Sequence, residues 1–260
     1  MTDTHNTPEA LPAPGSFLAQ AEAMGIVFEG DEVERFGRYL ALLLDANARM
    51  NLTSITDPEE AWTRHILDSL SLMSVLSEMP DGARVADVGA GGGAPGLPLA
   101  IAMPHLRFTL IEATGKKAAF LRDAAAALGC TNVEVVADRA EALGQDHRLH
   151  RESYDAVIAR AVGRVAVVAE LCAPLAKVGG VVALIKGAKA DEELVEAKPA
   201  LHALHVVCAG VVPTPTGRIV VLEKARKTPR AYPRRPGEPK RAPLGVVRSE
   251  SPRADADAGR

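Results

Sequence analysis

The chain has 260 residues, 47% of them apolar, and a formal net charge of −3, which suffices to bury one α/β core with a small appendage. Its longest apolar runs, Leu40 to Leu44 and Val178 to Ile185, fall far short of a bilayer span, and residues 1–15 lack a basic stretch followed by an apolar one; a cytoplasmic protein with no membrane partner is expected. Cys130, Cys172 and Cys208 are isolated from one another, which argues against a disulfide framework or a C-x-x-C metal site and reads as three core thiols.

Residues 1–15 read as disordered. From Ser16 the pattern turns helical, with Phe17, Leu18 and Ala21 at helix spacing. Asp31 is placed to cap a second helix carrying Val33, Phe36, Tyr39, Leu40, Leu43 and Leu44. Asp57-Pro58 opens a third, with proline at its first position and Glu59 and Glu60 in its first turn. Residues 16–80 are therefore expected to form a helical cap.

After Asp81-Gly82 the pattern becomes that of strand–helix–strand units. Strands are expected at 84–88, 107–112, 132–137, 154–159 and 178–186, and helices at 96–103, 115–129, 163–176 and 189–203. His205 to Val212 and Arg218 to Lys224 are joined only by Pro213-Thr-Pro-Thr-Gly217, a link that permits an antiparallel hairpin but no helical crossover. Over residues 81–224 this predicts a Rossmann-like, doubly wound α/β domain of seven strands. A sheet ending in a hairpin resembles the class I S-adenosylmethionine-dependent methyltransferase fold more than a dehydrogenase domain.

Within that domain, Arg84 to Gly96 runs from an apolar strand into a glycine-rich turn, and glycines let a backbone press against a nucleoside. Gly89-x-Gly91-x-x-Ala94 and Gly91-x-Gly93-x-x-Gly96 both fit the dinucleotide fingerprint. Glu112 closes the next strand, where a carboxylate accepts from both ribose hydroxyls. NAD and S-adenosylmethionine share that requirement, so both stay open on these residues. Gly89, Gly91 and Ala94 are expected to line the cofactor turn, with Asp87 ordering the loop. Arg160, at the carboxyl end of a central strand, is placed for a ligand carboxylate or an RNA backbone.

The last segment differs in charge. Residues 225–248 carry eight Lys or Arg against one acid, Glu238, and five prolines, which predicts an extended basic tail, 225–260, that meets an anionic partner. Arg234 and Arg235 are its candidate RNA contacts. Asn51, Arg64, Lys116, Lys117, Lys186 and Arg218 are further candidates, since phosphates dominate nucleic-acid affinity. His65, flanked by Ile66 and Leu67, reads as either a substrate-facing or a structural residue. Aromatic residues make up 3% of the chain, too few for a stacking platform, so a structured RNA is favoured over free single strands.

Six separated motifs carry a resemblance that covers about residues 16–244. They are Asn51-Leu-Thr53, Arg64-His-Ile-Leu-Asp-Ser-Leu70, Asp87 to Gly93 with Pro95-Gly-Leu-Pro98, Gly115-Lys-Lys117, Ile158-Ala-Arg-Ala161, and Lys227-Thr-Pro with Tyr232-Pro-Arg-Arg-Pro-Gly237. In this order they resemble the bacterial small-subunit rRNA guanine-N7 methyltransferases, the glucose-inhibited division protein B family. The resemblance implies S-adenosylmethionine as cofactor, a guanine in the decoding-region loop of 16S rRNA as target, and adenine contacts from Ala140 and Glu141. A monomer without a metal is expected. Ala90 and Ala94 depart from the family, which often has threonine and a bulkier apolar residue there.

The chemistry points the same way. Amine methyltransferases generally carry an Asn/Asp-Pro-Pro-aromatic turn after the fourth strand, where this chain reads Ala159-Arg160-Ala161-Val162. Methylation of a pyrimidine carbon needs a nucleophilic cysteine, and none lies near the ends of the first or fourth strands. Guanine N7 already presents a lone pair, so it needs placement rather than a base. No residue is assigned a proton-transfer role; Arg160, Arg64 and His65 are candidates for substrate positioning. A small-molecule methyltransferase on the same fold and a non-catalytic or NAD-linked nucleotide-binding protein that contacts the ribosome are the alternatives.

Overall fold

The computed structural model describes residues 8–245; the expectation for residues 1–7, and Arg248 of the basic run, lie outside them. The cap comprises α1 (Gly15–Ala23), α2 (Glu32–Met50), α3 (Pro58–Ala61), a π-helical turn (Trp62–Leu67), α4 (Asp68–Leu70) and α5 (Met73–Leu76). The sheet domain follows as β1 (Arg84–Val88), α6 (Gly96–Ala102), β2 (Arg107–Ile111), α7 (Gly115–Ala127), β3 (Val133–Val136), α8 (Ala140–Leu143), β4 (Tyr154–Arg160), α9 (Val165–Cys172), β5 (Ala176–Lys186), α10 (Ala190–Leu204), β6 (Val206–Thr214) and β7 (Gly217–Lys224), and α11 (Glu238–Arg241) closes the described chain.

The seven strands form one sheet in the order β3-β2-β1-β4-β5-β7-β6. The first five are parallel and β7 runs antiparallel between β5 and β6, as the short Pro213 to Gly217 link requires. This is the class I methyltransferase architecture. Strand order reverses between β1 and β4, the crevice where open α/β sheets place ligands.

Alternation at period two splits each buried strand between two faces. Val85, Phe108, Leu110, Ala156 and Ile158 belong to one core, Ala86, Val88, Ile111, Val157 and Ala159 to the other. The first core is continuous with the cap through Phe36, Tyr39, Leu40 and Leu43 of α2, spaced to form one apolar stripe. Phe17 anchors the cap against Trp62 at 4.7 Å and Phe28 at 5.6 Å between ring centroids.

Several expectations are corrected. The third cap helix is not one α-helix: Asp57 caps it, accepting from Glu60 N–H at 2.8 Å, but after one turn the backbone widens into the π turn. Asp31 precedes α2 without a side-chain capping bond. The helix expected at 163–176 is shorter, because β5 already begins at Ala176 and pairs with Tyr154. Residues 8–14 are ordered against α2, Leu11 N–H donating to Gly37 O at 3.1 Å, so the disordered span expected to reach residue 15 does not. Cys130 and Cys172 are buried, whereas Cys208 is exposed on the edge strand β6.

The described part of the tail, residues 225–245, differs most from expectation; the rest of the expected tail lies outside the described residues. The described part leaves β7 and folds back over α8 and α9 instead of extending. Arg151 donates to Thr228 O and Tyr232 O, each at 2.8 Å, and Thr228 N–H donates to Glu152 at 2.8 Å. Composition signals extension because prolines deny the segment helical bonds; its carbonyls are bonded instead by side chains that lie far away in sequence.

Candidate functional site

β1 delivers the glycine turn to the crevice. Gly89 N–H and Ala90 N–H both donate to Ile111 O, at 2.9 and 3.1 Å. Gly89 takes φ 73°, and a Cβ there would lie 2.9 Å from Val162 Cγ2, so only glycine suits both the conformation and the space. Asp87 is fully buried. Its Oδ2 accepts from Gly96 N–H at 2.9 Å, tying the strand end to the start of α6 across the turn. Its Oδ1 has no partner among the described residues, and burial, above all, pushes the carboxyl up to about 7.

Beside the turn lies a pocket of about 140 Å³ lined by Gly89, Glu112, Asp138, Ala140, Glu141, Val162 and Leu171 among others. Glu112 accepts from Gly91 N–H at 3.0 Å on Oε2 and from Thr114 N–H at 2.7 Å on Oε1. Each oxygen keeps lone-pair capacity for a hydroxyl donor, so these residues fit a nucleoside: a backbone wall without Cβ, and a carboxylate held by two amides. Glu141, at the start of α8, faces the same pocket and accepts from Gly237 N–H at 2.8 Å. Gly91 and Ala94 do not line this pocket; Ala94 borders a small cavity shared with Tyr39, His65 and Arg160.

A second, larger cleft of about 530 Å³ opens between the cap and the carboxyl ends of β4 and β5. Arg160 and Ala161 line this cleft and the next residue, Val162, lines the smaller pocket, so one stretch of backbone separates the two. Ala161 takes φ 57°, a left-handed conformation uncommon outside glycine and found at ligand sites.

Arg160 donates one Nη to the Arg64 carbonyl and the other to His65 Nδ1 at 2.9 Å. His65 Nε2 lies 3.1 Å from Thr53 Oγ1. A guanidinium only donates, so Nδ1 is the acceptor and the ring is neutral with its proton on Nε2. Burial, then Arg160 and Arg64, lower the imidazole to about 3. Tyr39 OH donates to Gly92 O at 3.1 Å, joining α2 to the glycine turn. Asp68, buried in the cleft wall, accepts from Thr216 Oγ1 in the β6–β7 turn, and burial raises its carboxyl above the ordinary value.

The expected RNA contacts are scattered. Arg64 is exposed at the cleft. Lys186 lines it too, but its Nζ is engaged by Gly163 O at 2.5 Å and Glu193 at 2.7 Å, which makes it a brace between β5, α10 and the loop before α9. Arg218 is exposed beside Asp191 at 3.5 Å. Asn51, in the left-handed cap of α2, is exposed. Lys116 and Lys117 sit in the first turn of α7 and line neither cavity. Arg235 is exposed, while Arg234 forks onto the fully buried Glu170 at 2.8 and 2.6 Å; the reading of Arg234 as an RNA contact is corrected to an intramolecular pair. Sequence reasoning missed Tyr39, Thr53, Asp68, Lys189 and Thr216 as neighbours of the site. Thr53 lay inside the Asn51-Leu-Thr53 motif and Asp68 inside the Arg64 to Leu70 motif; Tyr39, Lys189 and Thr216 stood in none of the motifs.

Among the described residues no cluster of His, Cys, Asp and Glu could hold a metal ion, and no helix is long and apolar enough to cross a membrane. Residues 32–216 match the family model described as GidB, rRNA small subunit methyltransferase G. The chain is 48% identical over 225 residues to ribosomal RNA small subunit methyltransferase G of Sorangium cellulosum, covering 86% of this chain and 93% of that one. It is 43% identical over 230 residues to the protein of the same name from Pelotomaculum thermopropionicum, covering 86% and 95%. Among solved structures, a SAM-dependent methyltransferase from Aquifex aeolicus aligns over 66% of this chain and 95% of its own, with a TM-score of 0.50 and 18% identity, a likeness of fold alone.

Proposed function

The chain belongs to the GidB family, rRNA small subunit methyltransferase G, and from that premise we propose that it methylates N7 of a guanine in the decoding-region loop of 16S rRNA. It is an rRNA methyltransferase, and its cofactor is S-adenosylmethionine. The observation that carries the finer reading is the pair of cavities divided by residues 160–162: a small pocket suited to a nucleoside, and beside it a larger cleft with cations on its wall.

The cofactor, when bound, supplies a methyl group activated on a sulfonium. In this reading Glu112 accepts from the ribose hydroxyls, Gly89 lets the backbone approach, and Asp87 keeps the turn closed onto α6. Ala140 and Glu141 stand at the adenine side. Arg160 is held in one rotamer by Arg64 O and His65, so its guanidinium is fixed before the base arrives, and a fixed dipole costs no reorganisation during reaction. Transfer to N7 leaves the base positively charged. Asp68, a carboxylate in the cleft wall, is the group that offsets that charge. No residue need remove a proton, and His65, neutral with Nδ1 committed to Arg160, serves as a positioning residue rather than a base.

Arg64, Lys189 and Arg235 are proposed to meet the RNA backbone, with Asn51, Lys116, Lys117 and Arg218 as outlying contacts. The protein is proposed to act as a monomer in the cytoplasm. The test is methyl transfer from labelled S-adenosylmethionine to small ribosomal subunits lacking the modification, with the nucleoside identified by mass spectrometry. Labelled 7-methylguanosine is the expected product; label in another nucleoside would refute the assignment of the atom.

A further inference from the structure

α8 has four residues, Ala140–Leu143, and a single turn has almost no stability of its own. Yet Ala140 and Glu141 form one wall of the nucleoside pocket, and Leu171 of α9 another. Both walls are held from outside by the folded-back tail. Glu141 accepts from Gly237 N–H at 2.8 Å. Just beyond α8, Gln145 Nε2 donates to Pro233 O at 2.8 Å, and Arg151 Nη1 bridges Gly144 O at 2.5 Å and Tyr232 O at 2.8 Å. On α9, Glu170, next to Leu171 and fully buried, accepts from Arg234 through its backbone N–H at 2.9 Å, its Nε at 2.8 Å and its Nη2 at 2.6 Å.

We propose that residues 228–237 form a strap that sets the adenosine side of the pocket, with Arg234 as a positioning residue for cofactor binding. The inference rests on the reading of that pocket as the S-adenosylmethionine site. A charge-assisted fork onto a buried carboxylate has only one good geometry, so Arg234 fixes where the strap crosses α9, and Gly237, three residues on, thereby reaches Glu141. The three cations of the strap therefore divide by role: Arg234 faces inward, whereas Arg230 and Arg235 are exposed.

The experiment titrates S-adenosylhomocysteine into the full chain by calorimetry and measures KM separately for S-adenosylmethionine and for small subunits. R234A is expected to weaken S-adenosylhomocysteine binding by about tenfold, within the usual span of coupling between packed elements, and to raise KM for the cofactor while KM for subunits stays put. Should R234A not fold, E170L/R234L removes both charges and leaves no buried carboxylate unpaired; it is expected to show the same loss. Wild-type affinity in a folded variant would overturn the strap. So would a rise in KM for subunits alone, which would make the segment an RNA element. Failure of the wild-type chain to bind S-adenosylhomocysteine would instead overturn the reading of the pocket itself.

Discussion

His65 Nδ1 accepts a hydrogen bond from the Arg160 guanidinium at 2.9 Å. The contact joins a cap residue to the end of β4 and fixes both the tautomer of one and the rotamer of the other. Removing the ring frees the arginine without touching the nucleoside pocket. H65A is therefore expected to lower kcat by up to about a hundredfold, the scale of an ångström-sized misplacement, with S-adenosylhomocysteine affinity unchanged. H65Q, which can accept from Arg160 and donate to Thr53, should recover most of the loss. Equal defects in the two variants would mean that the ring does more than orient Arg160.

The same imidazole makes a pH prediction in combination with Asp87. His65 falls from 6.5 to about 3 on folding, so its contribution to stability is present above pH 6.5 and is lost as pH falls toward 3. Asp87 rises from 3.8 to about 7, so its contribution is present below pH 3.8 and is lost as pH climbs through 7. Between about pH 4 and 6.5 the two slopes oppose, each reaching up to about 1.4 kcal/mol per pH unit. D87N should expose the histidine slope, its stability rising with pH relative to wild type, and H65Q should expose the reverse. Urea unfolding at pH 4.5 and 6.5 measures both, and parallel pH dependence in all three proteins would sink the argument.

Glu112 is the carboxylate best placed for ribose hydroxyls, already accepting from Gly91 and Thr114. Hydrogen bonds to a charged group are worth about 1.5–3 kcal/mol, so E112A is expected to weaken S-adenosylhomocysteine by about ten- to a hundredfold. It should also loosen the glycine turn, visible as faster amide exchange at Gly91. Unchanged affinity in calorimetry would remove Glu112 from the site.

Gly89 offers the sharpest steric test. A Cβ there lies 2.9 Å from Val162 Cγ2 in a backbone at φ 73°. G89A is expected to cost about 1–2 kcal/mol of stability from the left-handed conformation and to push Val162 into the nucleoside pocket. G89A/V162A should recover cofactor affinity but not the backbone cost. Thermal melts and calorimetry separate the two parts; full recovery of both would place the strain elsewhere.

Much of the fold was legible because its signals are local. Strand and helix alternate at their own periods from Arg84 to Lys224, and a five-residue link between the last two strands admits only a hairpin. Gly89 and Glu112 were legible for a related reason: a turn that needs glycine and a carboxylate that ends the next strand belong to one βαβ unit, so sequence spacing stands in for distance. The π turn left no such mark. Trp62 to Leu67 have ordinary helical residues; Trp62 packs on Phe17 while Arg64 and His65 face the cleft, contacts that no local pattern announces.

Sequence alone thus determined the layered α/β fold, the glycine turn that leads out of β1 and the family. Tertiary structure alone decided which charges are engaged inside the protein and which stay exposed. Arg234 and Arg235 are adjacent and chemically identical, but one side chain meets a buried Glu170 sixty-four residues away and the other remains exposed. Lys186 and Arg64 divide in the same way. A charge is written in the sequence; its burial and its partner depend on contacts between segments that only the folded chain brings together, and those two quantities set what the charge can do.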